Sequence, residues 1–156
     1  MSHLILAAAL GSGLIAGVFL AFSSFVMQAL ARRPAAEGIA VMQAINVTVI
    51  NPVFLGIFLG SAVLSVGLIA ATLFNATPSA AIISGSLLYL IGTFGVTIAG
   101  NVPHNTRLAR MDAASPVAAA YWLDYVRLWQ RWNHLRTVMA TLASMAFISA
   151  LHGAQG

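Results

Sequence analysis

Residues 4–30, LILAAALGSGLIAGVFLAFSSFVMQAL, run without one charged side chain. As an α-helix this run is about 40 Å long, enough to cross a hydrocarbon core of about 30 Å and project or tilt. It is too long for the apolar stretch of a secretory leader. No Lys or Arg precedes it, and Arg32-Arg33 follows. It is therefore read as a retained first membrane helix.

The rest of the composition agrees. Sixty per cent of the 156 residues are hydrophobic and 6% are charged: seven Arg, no Lys, and the acids Glu37, Asp112 and Asp124. That is too little charge to cover a soluble surface, so lipid is the expected solvent. The formal charge of +4 does not describe a nucleic-acid binder, because it is sparse and sits beside long apolar segments. It suits loops facing an anionic membrane surface. With no cysteine, disulfides, thiolate catalysis and Cys-ligated metal centres are excluded.

Three further apolar segments follow, at about 53–74, 80–100 and 135–152. The reading is all-α: a four-transmembrane-helix bundle in a single membrane domain, 1–156. Residues 38–50, GIAVMQAINVTVI, carry Gln43, Asn46 and Thr48 and are less lipid-like. They are read as an additional interfacial or re-entrant helix, or as the first part of a longer second span. Asn51-Pro52 suits a helix start, with Asn51 as cap and Pro52 in the permissive first turn. Gly13/Gly17 and Gly56/Gly60 form small-xxx-small pairs expected to let helices pack closely, and a homo-oligomer is compatible with this reading. Asn75-Ala76-Thr77 matches a glycosylation triplet and is treated as chance.

Arg32 and Arg33 lie in the first intervening loop, and Arg107, Arg110, Arg127, Arg131 and Arg136 in or beside the third. Four spans put both loops on one side. The positive-inside rule makes that side cytoplasmic and both termini external, as for a protein of a bacterial inner membrane.

Two polar groups could carry chemistry. In NVPHNTRL, residues 101–108, Asn101 and Asn105 share a helix face, although asparagines at a helix end often only cap the backbone. In WQRWNHLR, residues 129–136, Trp129 with Asn133 and Trp132 with Arg136 recur at helical spacing, so rings could enclose a planar ligand while Asn133 and Arg136 hold its oxygens. The competing reading of Trp122, Trp129 and Trp132 is interfacial anchoring. Arg136 begins the last apolar segment and should seek a polar partner. The histidines His3, His104, His134 and His152 form no recognisable metal motif. No metal ligands are assigned and no cofactor is predicted, with haem, copper or iron left open.

With Asn51-Pro52, Asn101-Val102-Pro103…Asn105 and Trp129…Trp132-Asn133…Arg136, residues 10–150 resemble the DUF1772, or anthrone-oxygenase-like, family of small membrane proteins. The resemblance implies a four-helix membrane bundle. It also implies oxidation of an electron-rich aromatic or polyketide-type substrate by molecular oxygen, a cofactor-independent anthrone-type monooxygenation without flavin or haem. In that case Arg136 would stabilise the substrate anion and Asn101, Asn105 and Asn133 would orient oxygens. His104 or His134 would remove a proton, and Trp129, Trp132, Trp122, Tyr125, Asn46 and Asn51 would contact the substrate. The partners are then the lipid bilayer, a hydrophobic small molecule and oxygen. The alternative is a nonenzymatic membrane scaffold or a lipid- or small-molecule-binding protein. A small transporter ranks behind both, since no inverted repeat is evident.

Overall fold

A computed structural model describes residues 1–74 and 79–153, and every long element in it is helical. Helix α1 spans Ser2–Ala31, α2 Ala35–Thr48, α3 Pro52–Phe74, α4 Ala80–Ala109 and α5 Pro116–Gly153. Four of them, α1, α3, α4 and α5, are long and apolar enough to cross a membrane. The shorter α2 completes the fold. The Asn75-Ala76-Thr77 triplet lies outside the described residues.

The breaks between helices have local causes. Pro34 precedes α2, and the Arg33 guanidinium bridges to Glu37 one turn on. The segment 38–50 is a separate helix and does not run on into the second span, because the chain turns at Ile50-Asn51. There the Asn51 carboxamide accepts from the Val53 and Phe54 amides, 3.1 and 3.0 Å, and donates to Thr48 O. One side chain thus ends α2 and caps α3. Ser115 caps α5 through the Ala118 amide, with Pro116 in the first turn.

Helix α4 does not stop at Gly100, and NVPHNTRL continues it to Ala109. Two wide π-helical stretches, Leu88–Gly95 and Thr97–Asn101, precede Pro103. The proline, which has no N–H to give, therefore arrives where the regular ladder is already interrupted. A third π stretch, Phe22–Val26, lies in α1. Helix α5 is continuous through residue 135 and about 57 Å long, far more than a hydrocarbon core of about 30 Å.

Helices α1 and α5 run antiparallel: Ser144 Oγ donates to Ala9 O at 2.9 Å and Asn133 Nδ2 to Phe19 O at 2.8 Å. Tyr89 OH pins α4 to Phe58 O of α3 at 3.0 Å. Two buried cores result. One gathers Ile5, Ile15, Phe19, Phe58, Tyr89 and Phe147. The other, between α2 and the first half of α5, gathers Met27, Ile39, Met42, Leu108, Trp122, Tyr125 and Trp129. Leu10, Leu14, Val63, Val66, Ile91 and Met145 point outward, as lipid-facing positions should. Buried hydroxyls of Ser12, Ser65 and Thr72 donate to carbonyls four residues back, which satisfies them without water.

The glycines at close helix contacts are not the expected pairs. Nothing lies within 4 Å of a Cβ added at Gly17, Gly56 or Gly60, and only Ser144 Oγ, 3.3 Å, approaches one at Gly13. The tight approaches are at Gly11, Gly38, Gly85, Gly92 and Gly100, where Ser61, Trp122, Phe147, Met139 and Trp132 pack directly on the backbone. A Gly38→Ala Cβ would sit 2.8 Å from Leu30 O, a backbone atom with no rotamer to yield. We expect Gly38→Ala to destabilise the detergent-solubilised protein by about 1–3 kcal/mol. Gly60→Ala should be neutral or stabilising by about 1 kcal/mol. Thermal unfolding of the two variants checks the contrast.

Candidate functional site

Arg136 is 6% exposed and stands where the two cores meet. Its guanidinium carbon lies 3.8 Å from the Phe19 ring centre, in the first core, and 5.0 Å from that of Trp129, in the second. Nε donates to Asn133 Oδ1 at 3.0 Å and Nη1 to Thr97 Oγ1 at 3.3 Å. Among the described residues, the ion pairs are Arg33–Glu37 and Arg127–Asp124, both exposed. Among these residues no carboxylate pairs with Arg136.

The partners of Arg136 are themselves fixed. Asn133, fully buried, donates from Nδ2 to Phe19 O at 2.8 Å and to Ser23 Oγ at 2.7 Å. Those bonds orient its amide oxygen toward the guanidinium. Ser23 also meets Thr137 Oγ1 at 3.0 Å, and Thr97 donates back to Thr93 O at 2.8 Å. Ser23 and Thr97 both belong to π-helical stretches, where the altered register turns hydroxyls inward. One polar layer thus joins α1, α4 and α5.

Beside it lies a cavity of about 380 Å³. Its apolar wall includes Val18, Phe19, Phe22, Met42, Ile45 and Phe54, and its polar wall Gln43, Asn46, Thr97, Asn105, Trp129 and Arg136. Val47, Ile50 and Val102, all exposed, belong to the same lining together with the exposed Thr106, so the opening is mostly apolar. Asn105 Oδ1 accepts two bonds of 2.8 Å, from Tyr125 OH and from Trp129 Nε1. This holds the indole against the cavity, 5.5 Å centre to centre from Phe22. Gln43 Nε2 is committed to Leu108 O and Met111 O, both at 2.9 Å.

The structure thus gathers Arg136, Asn105, Trp129 and Asn46 around one hollow, with Asn133 directly behind Arg136. Other sequence candidates stand elsewhere. Asn101 is buried and donates to Trp129 O at 3.1 Å, supporting the wall from behind. Tyr125 does the same through Asn105, and Trp122 stacks on Tyr125 at 5.4 Å in the second core. Trp132 packs on Gly100, partly exposed. His104 Nδ1 meets Tyr121 OH at 3.1 Å, and His134 lines a separate shallow hollow with Ala31, Trp122, Arg127 and Arg131. Asn51 is a helix cap. Sequence reasoning passed over Phe19, Phe22, Ser23, Thr97 and Thr137. The available signal was hydroxyl residues inside otherwise apolar runs. Among the described residues, no group of three or more His, Asp or Glu converges as a metal site would require.

Fold and site together define a membrane-embedded helical bundle with a largely apolar cavity and a buried cation on its wall. Residues 47–146 match the family model described as Anthrone oxygenase, and the chain belongs to that family. No curated protein and no solved structure matches. The matched stretch contains Thr97, Asn105, Trp129, Asn133 and Arg136. Helix α1 lies wholly outside it and α2 almost wholly.

Asn133 links α1 to Arg136, so its loss should be felt in both. Asn133→Leu leaves Nε of Arg136 without its acceptor and removes the donors to Ser23 Oγ and Phe19 O, and should cost about 2–3 kcal/mol. A denaturant titration in detergent, with Asn133→Gln as the polar control, reads this directly.

Proposed function

We propose that this protein is a membrane-embedded oxygenase whose cavity binds a planar, electron-rich aromatic substrate as its anion and presents it to molecular oxygen. The observation that carries the reading is Arg136: a buried cation on a cavity wall, with hydrogen bonds to neutral partners and no counter-ion. An unpaired buried charge is unfavourable, and an anionic ligand oxygen relieves it. Membership of the anthrone oxygenase family supplies the reaction class.

In this reading the substrate enters from the bilayer through the apolar opening beside Val47, Ile50 and Val102. Phe19, Phe22 and Trp129 contact its rings. Arg136 favours the enolate over the neutral ketone, since its charge acts in a water-poor setting. The enolate passes one electron to O2, and the resulting radical and superoxide combine to a peroxide at the ring carbon. Loss of water then leaves a carbonyl: CH2 plus O2 gives C=O plus H2O. No redox group of the protein is consumed in that balance. His104 and His134 lie off the cavity wall, so the reading rests formation of the anion on Arg136 and leaves the proton to water at the opening. The whole chain acts as one membrane domain, with the Arg-bearing loops cytoplasmic in a bacterial inner membrane and both termini outside.

Oxygen uptake by the purified protein in detergent, with a panel of anthrone-type and other reduced aromatics, tests the activity. Arg136→Gln should lower kcat/KM by about a hundredfold or more, the usual loss for a removed oxyanion donor. Arg136→Lys should retain part of the rate. Unchanged kcat/KM in Arg136→Gln sinks the proposal, and ligand binding without oxygen uptake would favour a small-molecule-binding role. The topology has its own test. Cysteines introduced as Arg33→Cys and Arg110→Cys should react with an impermeant reagent from the same, cytoplasmic, side.

A further inference from the structure

The asparagines around the cavity are not equivalent. Asn133 Nδ2 is spent on Phe19 O and Ser23 Oγ, and Asn101 Nδ2 on the Trp129 carbonyl. The Asn46 amide nitrogen has no accessible surface, and its side chain lies against the Tyr125 hydroxyl. Asn105 lines the cavity, is half-buried, and commits only its oxygen to the fold, in 2.8 Å bonds from Tyr125 and Trp129. Among the described residues, the sealed side-chain atoms without a partner are Asn46 Nδ2, Ser86 Oγ, Thr93 Oγ1 and Asn101 Oδ1. Asn105 Nδ2 also donates to nothing there but is not sealed, so its N–H group keeps accessible surface. Apart from Arg136, and from Thr106 exposed at the mouth, the other donors of the wall are committed. Gln43 Nε2 serves Leu108 O and Met111 O, the Thr97 hydroxyl serves Thr93 O, and Trp129 Nε1 serves Asn105.

The orientation of that amide is dictated by its neighbours. An indole N–H can only donate, so the edge of Asn105 that meets Trp129 Nε1 must be the oxygen. The Tyr125 hydroxyl donates to the same oxygen. Turned over, the amide would set its own N–H groups against the indole N–H. Tyr125 and Trp129 both belong to α5 and the second core, so the oxygen faces packed protein and the NH2 edge is left to the cavity. Arg136 stands against the same indole, its guanidinium carbon 5.0 Å from the ring centre. A cation and a neutral donor thus flank one aromatic wall, and a planar molecule lying along Trp129 meets both.

We infer that Asn105 is a specificity-determining residue: its Nδ2 donates to an uncharged acceptor oxygen of the substrate, distinct from the anionic oxygen held by Arg136. The inference rests on the reading of the cavity as an aromatic-anion site. It narrows the substrate class to planar aromatics with one ionisable oxygen and one acceptor oxygen elsewhere on the ring system. A ligand without that acceptor would cover the N–H group from water and leave it unpaired, which is the basis on which polar sites reject such analogues.

Binding can be read without turnover, under anaerobic conditions, from quenching of tryptophan fluorescence, since Trp129 lines the cavity. The probes are anthrone, methoxyanthrones substituted at each ring position in turn, and their ethyl counterparts, which have nearly the same shape and no acceptor. At one position or more, the wild-type chain should prefer methoxy to ethyl by about tenfold. Asn105→Leu should abolish that preference. Asn105→Asp should abolish it too, although it keeps an acceptor for Tyr125 and Trp129 and so leaves their support in place. The ratio of the two affinities is the readout, because a general loosening of the wall weakens both probes alike. A preference retained in either variant, or absent at every position in the wild-type chain, overturns the role of Asn105 and leaves the cavity reading standing. Failure of anthrone and of every derivative to bind the wild-type chain overturns the aromatic-anion reading and the inference with it.

Discussion

A guanidinium held inside a lipid-dissolved bundle, with no carboxylate partner among the described residues, sets the terms for everything around it. Placing an Arg at the centre of a membrane helix costs about 2.5–3.5 kcal/mol on insertion scales. A hydrogen bond to a charged group returns about 1.5–3 kcal/mol, and a desolvated ring face about 1–2. Arg136 has two such bonds and two ring faces, to Asn133, Thr97, Phe19 and Trp129. These terms are of the same order as the cost, so the fold can keep the charge. They do not neutralise it, because every partner is neutral. Among the described residues, the charge of Arg136 is thus solvated but not compensated.

The same requirement accounts for the irregular helices. A regular α-helix offers a neighbour one fixed stripe of side chains every three or four residues. Ser23, Thr97 and Asn101 all lie in π-helical stretches, where an extra residue per turn shifts that stripe. Ser23 thereby reaches Asn133, and Thr97 reaches Arg136. Asn101 turns to the Trp129 carbonyl. The departures from helical regularity fall on the two helices that supply partners to the polar layer of α5.

This explains what could be read from the sequence and what could not. The four apolar helices were legible because lipid demands long uncharged runs, and no competing element satisfies the backbone there. That Arg136 would find polar partners was legible for the converse reason: polar groups within such runs must be satisfied. Spacing alone did not separate Trp129, which lines the cavity, from Trp122 and Trp132, which do not. All three follow helical periodicity, and the direction each faces depends on how α2 and α4 dock against α5. Ser23 and Thr97 were hidden because a π turn leaves no compositional mark. Gly56 and Gly60 matched a packing pattern that their own chain leaves unused, since a motif states that close approach is allowed without naming a neighbour.

The position of the cavity follows from the length of α5. The helix is too long for one bilayer core, so its two halves pack in different surroundings: the apolar half against α1, α3 and α4, and the aromatic half under α2. Arg136 falls at the seam, with Phe19 of one core on one side and Trp129 of the other close by. The cavity at the seam reaches the surface beside the exposed Val47, Ile50 and Val102. A charge can survive there because the polar layer is anchored in both directions. Deeper in the apolar core the cation would lack partners, and farther toward water its charge would be screened. The seam is thus the level where apolar surroundings and a buried charge meet in this bundle.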